Sequence, residues 1–261
     1  MKPSSFGYTP DPPKPNDPRF SITLAPTLQP TISGDVDLRE FATESNQAGL
    51  SSCAGNASTD AVEIISAIEG RPRVQLSRLF TYAMARHMQD DDQSGDDDLD
   101  VDNGTYLRFC MLALSTYGIC AEAAWPYDES KVFDEPSIRA QQEAVGHKIH
   151  SYYRIDSTGD QRVQDILLAL RGLHPVVFGT DVEDPFRRVD DTTPVDVPKG
   201  GTIGGHAMII AGYLNGNFLV KNSWGAGWGF GGYCFMTPAY VMWENTRDLW
   251  VPTMGTTFKV A

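Results

Sequence analysis

The chain has 261 residues, enough for one large domain or two small ones, and its 41% hydrophobic and 10% aromatic content can fill a core. Lys and Arg number 21 against 34 Asp and Glu, and a net charge of −13 argues against nucleic acid or an anionic membrane as the main partner. Four cysteines (Cys53, Cys110, Cys120, Cys234) are too few for a disulfide scaffold, although Cys110 and Cys120 could pair. There is no apolar signal region and no apolar run near the roughly 20 residues that span a bilayer. A cytoplasmic location is the default expectation, with export by another route or a place in a particle as alternatives.

Eight of the 17 prolines fall in the first 30 residues, so residues 1–35 read as an extended segment that crosses the surface of the folded body or is mobile. It either straps the two halves together or lies along a cleft and restrains it. From Cys53, Ala57, Ala61, Ile64, Ile65 and Ile68 form one helical stripe that Gly70 stops. A second helix is expected over 77–88 with Ser77 as its cap, and a third over 106–117 ended by Gly118. A short helix follows Pro136, then an alternating run over 147–155 and a helix over 163–171. Strand-like segments follow at 175–182, 206–214, 217–224 and 231–238, rich in β-branched and aromatic residues. Helices first and strands later argue α+β, with residues 36–140 as a helical half and 141–261 as a β half.

Cys53 opens the first helix, where free N–H groups and the helix dipole favour an anion and a lowered thiol pKa. His206 opens a strand after a glycine-rich turn, and Asn222 ends the next strand sixteen residues later, a spacing that suits a hairpin. An Asn oxygen accepting from one ring N–H fixes the tautomer and turns the other nitrogen to the thiol. Trp224 could shield that bond from water.

With these residues, NQAGLSSCAGNA, GGHAMIIAGY and KNSWGAGWGFGGY, the chain from Val36 to Pro238 resembles the papain-like cysteine peptidases. The resemblance implies a two-lobe fold, a helical N-terminal lobe and an antiparallel β lobe with the active-site cleft between them. It makes Gln47 the oxyanion-hole glutamine, Cys53 the nucleophile, His206 the general base and Asn222 its orienter, with no cofactor. It implies a thioester mechanism on a peptide or protein substrate. Asn103, Gly104, Thr105, Tyr106 and Leu107 would line one wall of the cleft and Ala207 the other, where a small residue suits an apolar side chain. The chain departs from the family pattern in three ways. Leu50 replaces a cysteine, Asp102 stands where its disulfide partner is expected, and Ala54 replaces an aromatic, a form closer to bacterial and viral relatives. The helical pro-segment of secreted members is not seen. An acyl transferase or amidase using the same thiol, or a scaffold within a larger assembly, are the alternatives.

Two weaker signals remain. Asp90, Asp92 and Ser94 followed by Gly95 resemble the first half of a calcium loop, but Val101 holds the position of its bidentate Glu, so a solvated acidic loop is the expectation. His87, His147, His150 and His174 have no metal-ligand spacing with the cysteines.

Overall fold

Every residue from Cys53 to Ile65 is buried, so the first helix is covered all round rather than along one stripe. The computed structural model describes residues 6–20, 34–91, 99–190 and 193–254. That helix, α1 (Cys53–Ile68), packs on α2 (Arg78–Asp91) and α3 (Leu107–Thr116) on one side and against a sheet on the other. Ser77 caps α2 as expected, its hydroxyl accepting from Phe80 N at 3.1 Å. The short helix after Pro136 is α4 (Ile138–Ala144), and α5 (Gly159–Arg171) starts four residues earlier than its apolar pattern. A sixth helix, α6 (Pro238–Met242), is capped by Thr237, whose hydroxyl accepts from Tyr240 N.

Among the described residues the sheet holds seven strands: β1 (Val36–Asp37), β2 (Ser151–Ile155), β3 (Val176–Val182), β4 (Gly204–Leu214), β5 (Asn217–Lys221), β6 (Tyr233–Met236) and β7 (Thr246–Thr253). Their order is β2-β7-β3-β4-β5-β6, with β1 against β4 and every pair antiparallel. The chain is thus an α+β two-lobe protein. The sequence reading overlooks β1, α6 and β7; it also runs the last two strands past their ends, because Asn222 and the glycines after it leave the ladder. The β4–β5 hairpin turns on Asn215 and Gly216, both at positive φ (50° and 81°), the arrangement a two-residue turn requires.

A buried ionic cluster joins the lobes. Arg78 Nη2 donates to Asp60 at 2.6 Å and to Glu63 at 2.8 Å, and Lys221 at the end of β5 donates to Asp60 and, at 2.6 Å, to Ser45. All four charged side chains are 3% exposed. Burial alone would raise the Asp60 carboxyl, but Lys221 and Arg78 outweigh it and hold it below its ordinary value. Removing one partner of such a cluster leaves a charge buried and underpaired. Lys221→Met is expected to cost about 3–5 kcal/mol of unfolding free energy, read from the urea midpoint.

Candidate active site

Cys53 is the first residue of α1, and the backbone N–H groups of Ala207 and Gly7 reach its sulfur. His206 lies on β4 opposite Thr180 of β3. Its Nε2 donates to Asn222 Oδ1 at 2.7 Å, and Oδ1 also accepts from Ser223 N at 2.7 Å, which fixes which end of the amide faces the ring. The other ring nitrogen, Nδ1, is buried and has no hydrogen-bond partner among the described residues. Trp224 lies over the imidazole, ring centroids 4.6 Å apart and tilted 34°. Gln47 is held at both ends of its amide: Nε2 donates to Leu50 O at 2.8 Å and Oε1 accepts from Ser223 Oγ at 2.7 Å.

Supporting residues missed by sequence reasoning complete the frame. The Tyr127 hydroxyl donates to Gln47 O at 2.9 Å and lies 2.6 Å from Ser52 Oγ, so one phenol ties the glutamine to the residue preceding α1. Asp102, standing where a disulfide partner is expected, accepts from Ser51 N at 2.8 Å and from the Tyr82 hydroxyl at 2.6 Å. A carboxylate therefore joins the nucleophile loop to the cleft wall without a covalent bond. No spacing rule announces Ser223, Tyr127 or Tyr82, because their partners are distant in sequence. Cys53, Cys110, Cys120 and Cys234 are all free and buried, so the Cys110–Cys120 pairing does not form.

The cleft is filled by the chain's own proline-rich segment. Phe6 meets the edges of His206 and Trp224, both with centroids 6.0 Å away, and the Arg187 guanidinium sits 4.6 Å above its ring. Gly7 lies over the thiol. Its carbonyl accepts from Thr105 N at 3.0 Å, while Tyr8 N donates to Gly205 O at 3.3 Å. The fit admits only glycine: a Cβ on Gly7 would stand 1.7 Å from Ser51 O, and one on Gly104 would stand 1.9 Å from Gly7 O. Beyond the cleft the segment is pinned across both lobes. Arg108 of α3 pairs with Asp17 at 2.7 Å and donates to Pro12 O at 2.6 Å; Arg154 of β2 pairs with Asp17 at 2.9 Å.

This covering reverses the expected electrostatics. Cys53 and His206 are both 0% exposed. Burial pushes the thiol up to about 11, although the Ala207, Gly7 and helix N-terminal N–H groups oppose it, and burial pulls the imidazole down to about 4. The lowered thiol pKa read from the helix N-terminus does not hold here, because burial of the thiol outweighs the N–H groups around it.

Of the wall residues named from sequence, Gly104, Thr105 and Ala207 meet the strap or the thiol. Asn103 is exposed, Tyr106 packs on Phe109 at 5.9 Å, and Leu107 is 0% exposed in the core. Asp92 and Ser94 lie outside the described residues, Asp90 is in the last turn of α2, and no group of three or more metal-binding side chains occurs among the described residues. His174 is buried against Pro252 O at 3.2 Å. No helix among the described residues is long and apolar enough to cross a membrane.

The model of the papain family of cysteine proteases matches residues 33–244. The chain belongs to that family. It is 34% identical over 250 residues to an uncharacterized peptidase C1-like protein of Acanthamoeba polyphaga mimivirus, covering 88% of this chain and 78% of that protein. It is similar to xylellain, a cysteine protease from Xylella fastidiosa, with a TM-score of 0.81, 25% identity and 97% of each chain covered. A Carica candamarcensis cysteine protease shares the fold at TM-score 0.63 and 22% identity, with 86% of this chain and 100% of that one covered. The protein is a papain-like cysteine peptidase, a hydrolase of peptide bonds, and the transferase and scaffold alternatives are not favoured.

Two measurements test this frame. Iodoacetamide labelling of Cys53 in the wild type is expected to rise only as pH approaches about 11. In Gly7→Leu, which cannot keep the strap seated, labelling should be fast at lower pH. Asp102→Ala removes the acceptor shared by Ser51 N–H and the Tyr82 hydroxyl and should cost about 1–3 kcal/mol, read by denaturant titration.

Proposed function

We propose that Cys53 is the nucleophile, His206 the general base, Asn222 its positioning residue and Gln47 the oxyanion-hole donor of a peptidase held closed by residues 6–8. The single observation that carries the catalytic roles is the 2.7 Å bond from His206 Nε2 to Asn222 Oδ1, with buried Nδ1 left for the thiol on the strand whose next N–H reaches Cys53. With the strap withdrawn, water returns to the pair and the thiol proton passes to Nδ1. The thiolate attacks the peptide carbonyl carbon, and the oxyanion accepts from Gln47 Nε2–H and Cys53 N–H. The intermediate collapses as His206 gives its proton to the departing amine, leaving a thioester. His206 then takes a proton from water, whose oxygen displaces the thiol and releases the acid. Thr105 N and Gly205 O, both taken by the strap here, are main-chain partners for an extended substrate.

The closed reading rests on what the strap offers the sulfur. Gly7 turns an N–H to the thiol, and its carbonyl is engaged by Thr105 N on the cleft wall. The strap thus occupies the main-chain partners that an extended substrate would use. The four free thiols support work in a reducing compartment.

Peptidase assays on the full-length chain test these roles. Gly7→Leu should be several-fold more active than the wild type; equal activity would remove the inhibitory role of the strap. In the Gly7→Leu background, His206→Ala should lose about 10²–10⁴ in kcat. Asn222→Ala should lose less and alter the pH profile, since it acts through the imidazole.

A further inference from the structure

The strap displays what one pocket of the cleft accepts. Tyr8, one residue along from the glycine over the thiol, is 5% exposed. Its ring fills a slot made by two missing side chains: a Cβ on Gly179 would stand 2.0 Å from the ring, and one on Gly205 would stand 2.4 Å from Tyr8 O. The slot ends in a carboxylate, not in the apolar surface that Ala207 suggests. The Tyr8 hydroxyl donates to Asp248 Oδ2 at 2.6 Å, and Asp248 is 4% exposed.

The backbone is shaped to put that carboxylate there. Val177 of β3 pairs with Trp250 of β7, but Gly179 pairs with Arg247, so β7 carries an extra residue at this point. Within the bulge Asp248 has φ +53°, a left-handed conformation rare for a residue with a side chain. An observed backbone outlier that aims a buried acid into a cleft points to a role in recognition.

Its neighbours decide which donor it selects. Arg154 already pairs with Asp248, Arg108 stands nearby on α3, and Arg247 adds a third positive charge beside Tyr8. Of the opposing acids, Asp11, whose backbone N–H also donates to Asp248 at 2.6 Å, and Asp17 belong to the strap and leave with it, while Asp181 stays 3.9 Å from Arg247. A substrate lysine or arginine would meet the three guanidinium groups, whereas a phenol brings a donor without charge. Resting on the peptidase reading above, we infer that Asp248 makes this pocket selective for tyrosine in peptide substrates, over phenylalanine and over the basic side chains. A site built to receive a hydroxyl discriminates against the analogue lacking it, because its buried acceptor is then left short of a partner.

The test uses the full-length Gly7→Leu chain and acetyl-Ala-X-Gly coumarin amides, with X as Tyr, Phe, O-methyl-Tyr or Lys. The expected kcat/KM for Tyr is at least tenfold above each of the others, and Asp248→Asn, whose asparagine tolerates the left-handed backbone, brings the Tyr:Phe ratio toward one. A Tyr:Phe ratio below two, a preference for Lys, or a ratio unmoved by Asp248→Asn overturns the inference. Binding of the capped peptides FGYTPD and FGFTPD to Gly7→Leu/Cys53→Ala decides the pocket without catalysis: a tenfold difference supports it and less than twofold overturns it. Failure to turn over any coumarin amide would count against the peptidase reading, while the binding ratio would still decide the pocket.

Discussion

A carboxylate removed from water must be met by positive charge, and Asp60 is met from both sides of the molecule. It lies on α1 seven residues after Cys53, about two helical turns from the thiol. Arg78 comes to it from the neighbouring helix and Lys221 from the end of β5, the residue just before Asn222. The same cluster therefore fixes the distance between the helix carrying the sulfur and the strand end carrying the amide that holds His206. A buried ion pair adds little net stability over a well-packed apolar pair, but it tolerates almost no displacement. Here that intolerance acts as a ruler between the two lobes.

Smaller hydrogen bonds refine what the cluster sets. Tyr127 joins Gln47 to Ser52, Ser223 joins Gln47 to the Asn222 turn, and Asp102 joins the nucleophile loop to the wall that carries Thr105. Each member of the proposed catalytic set is thus bonded to a group that supports another member. The strap adds the final layer, exchanging water for Phe6, Gly7 and Tyr8 and so moving thiol and imidazole toward their neutral forms.

Much of this was legible in the sequence. The apolar spacing from Cys53 and the cap at Ser77 mark real helices, and the Asn-Gly turn places Asn222 beside His206. β7 escaped because its pattern, TRDLWVPT, includes a proline and a bulge that break the alternation. Composition suggested an extended segment over 1–35, of which residues 1–5 and 21–33 lie outside the described residues, but not where Gly7 would rest. That depends on the absence of a side chain at Gly7, Gly104, Gly179 and Gly205, positions brought together only by the fold. The thiol pKa was misjudged for the same reason: local helix geometry is written in sequence, whereas desolvation by a distant segment is not.

The seated strap also has a consequence for how the protein responds to concentration. An occupant belonging to the same chain is present at a local concentration set by its tether, on the order of millimolar for a short connection. Diluting the protein does not loosen it. A free peptide competes against that constant local supply, so the open fraction at a given peptide concentration is the same in a crowded compartment and a dilute assay. Agents that break the strap's hold on Arg108 and Arg154 act on a different quantity, the intrinsic affinity of the seated segment.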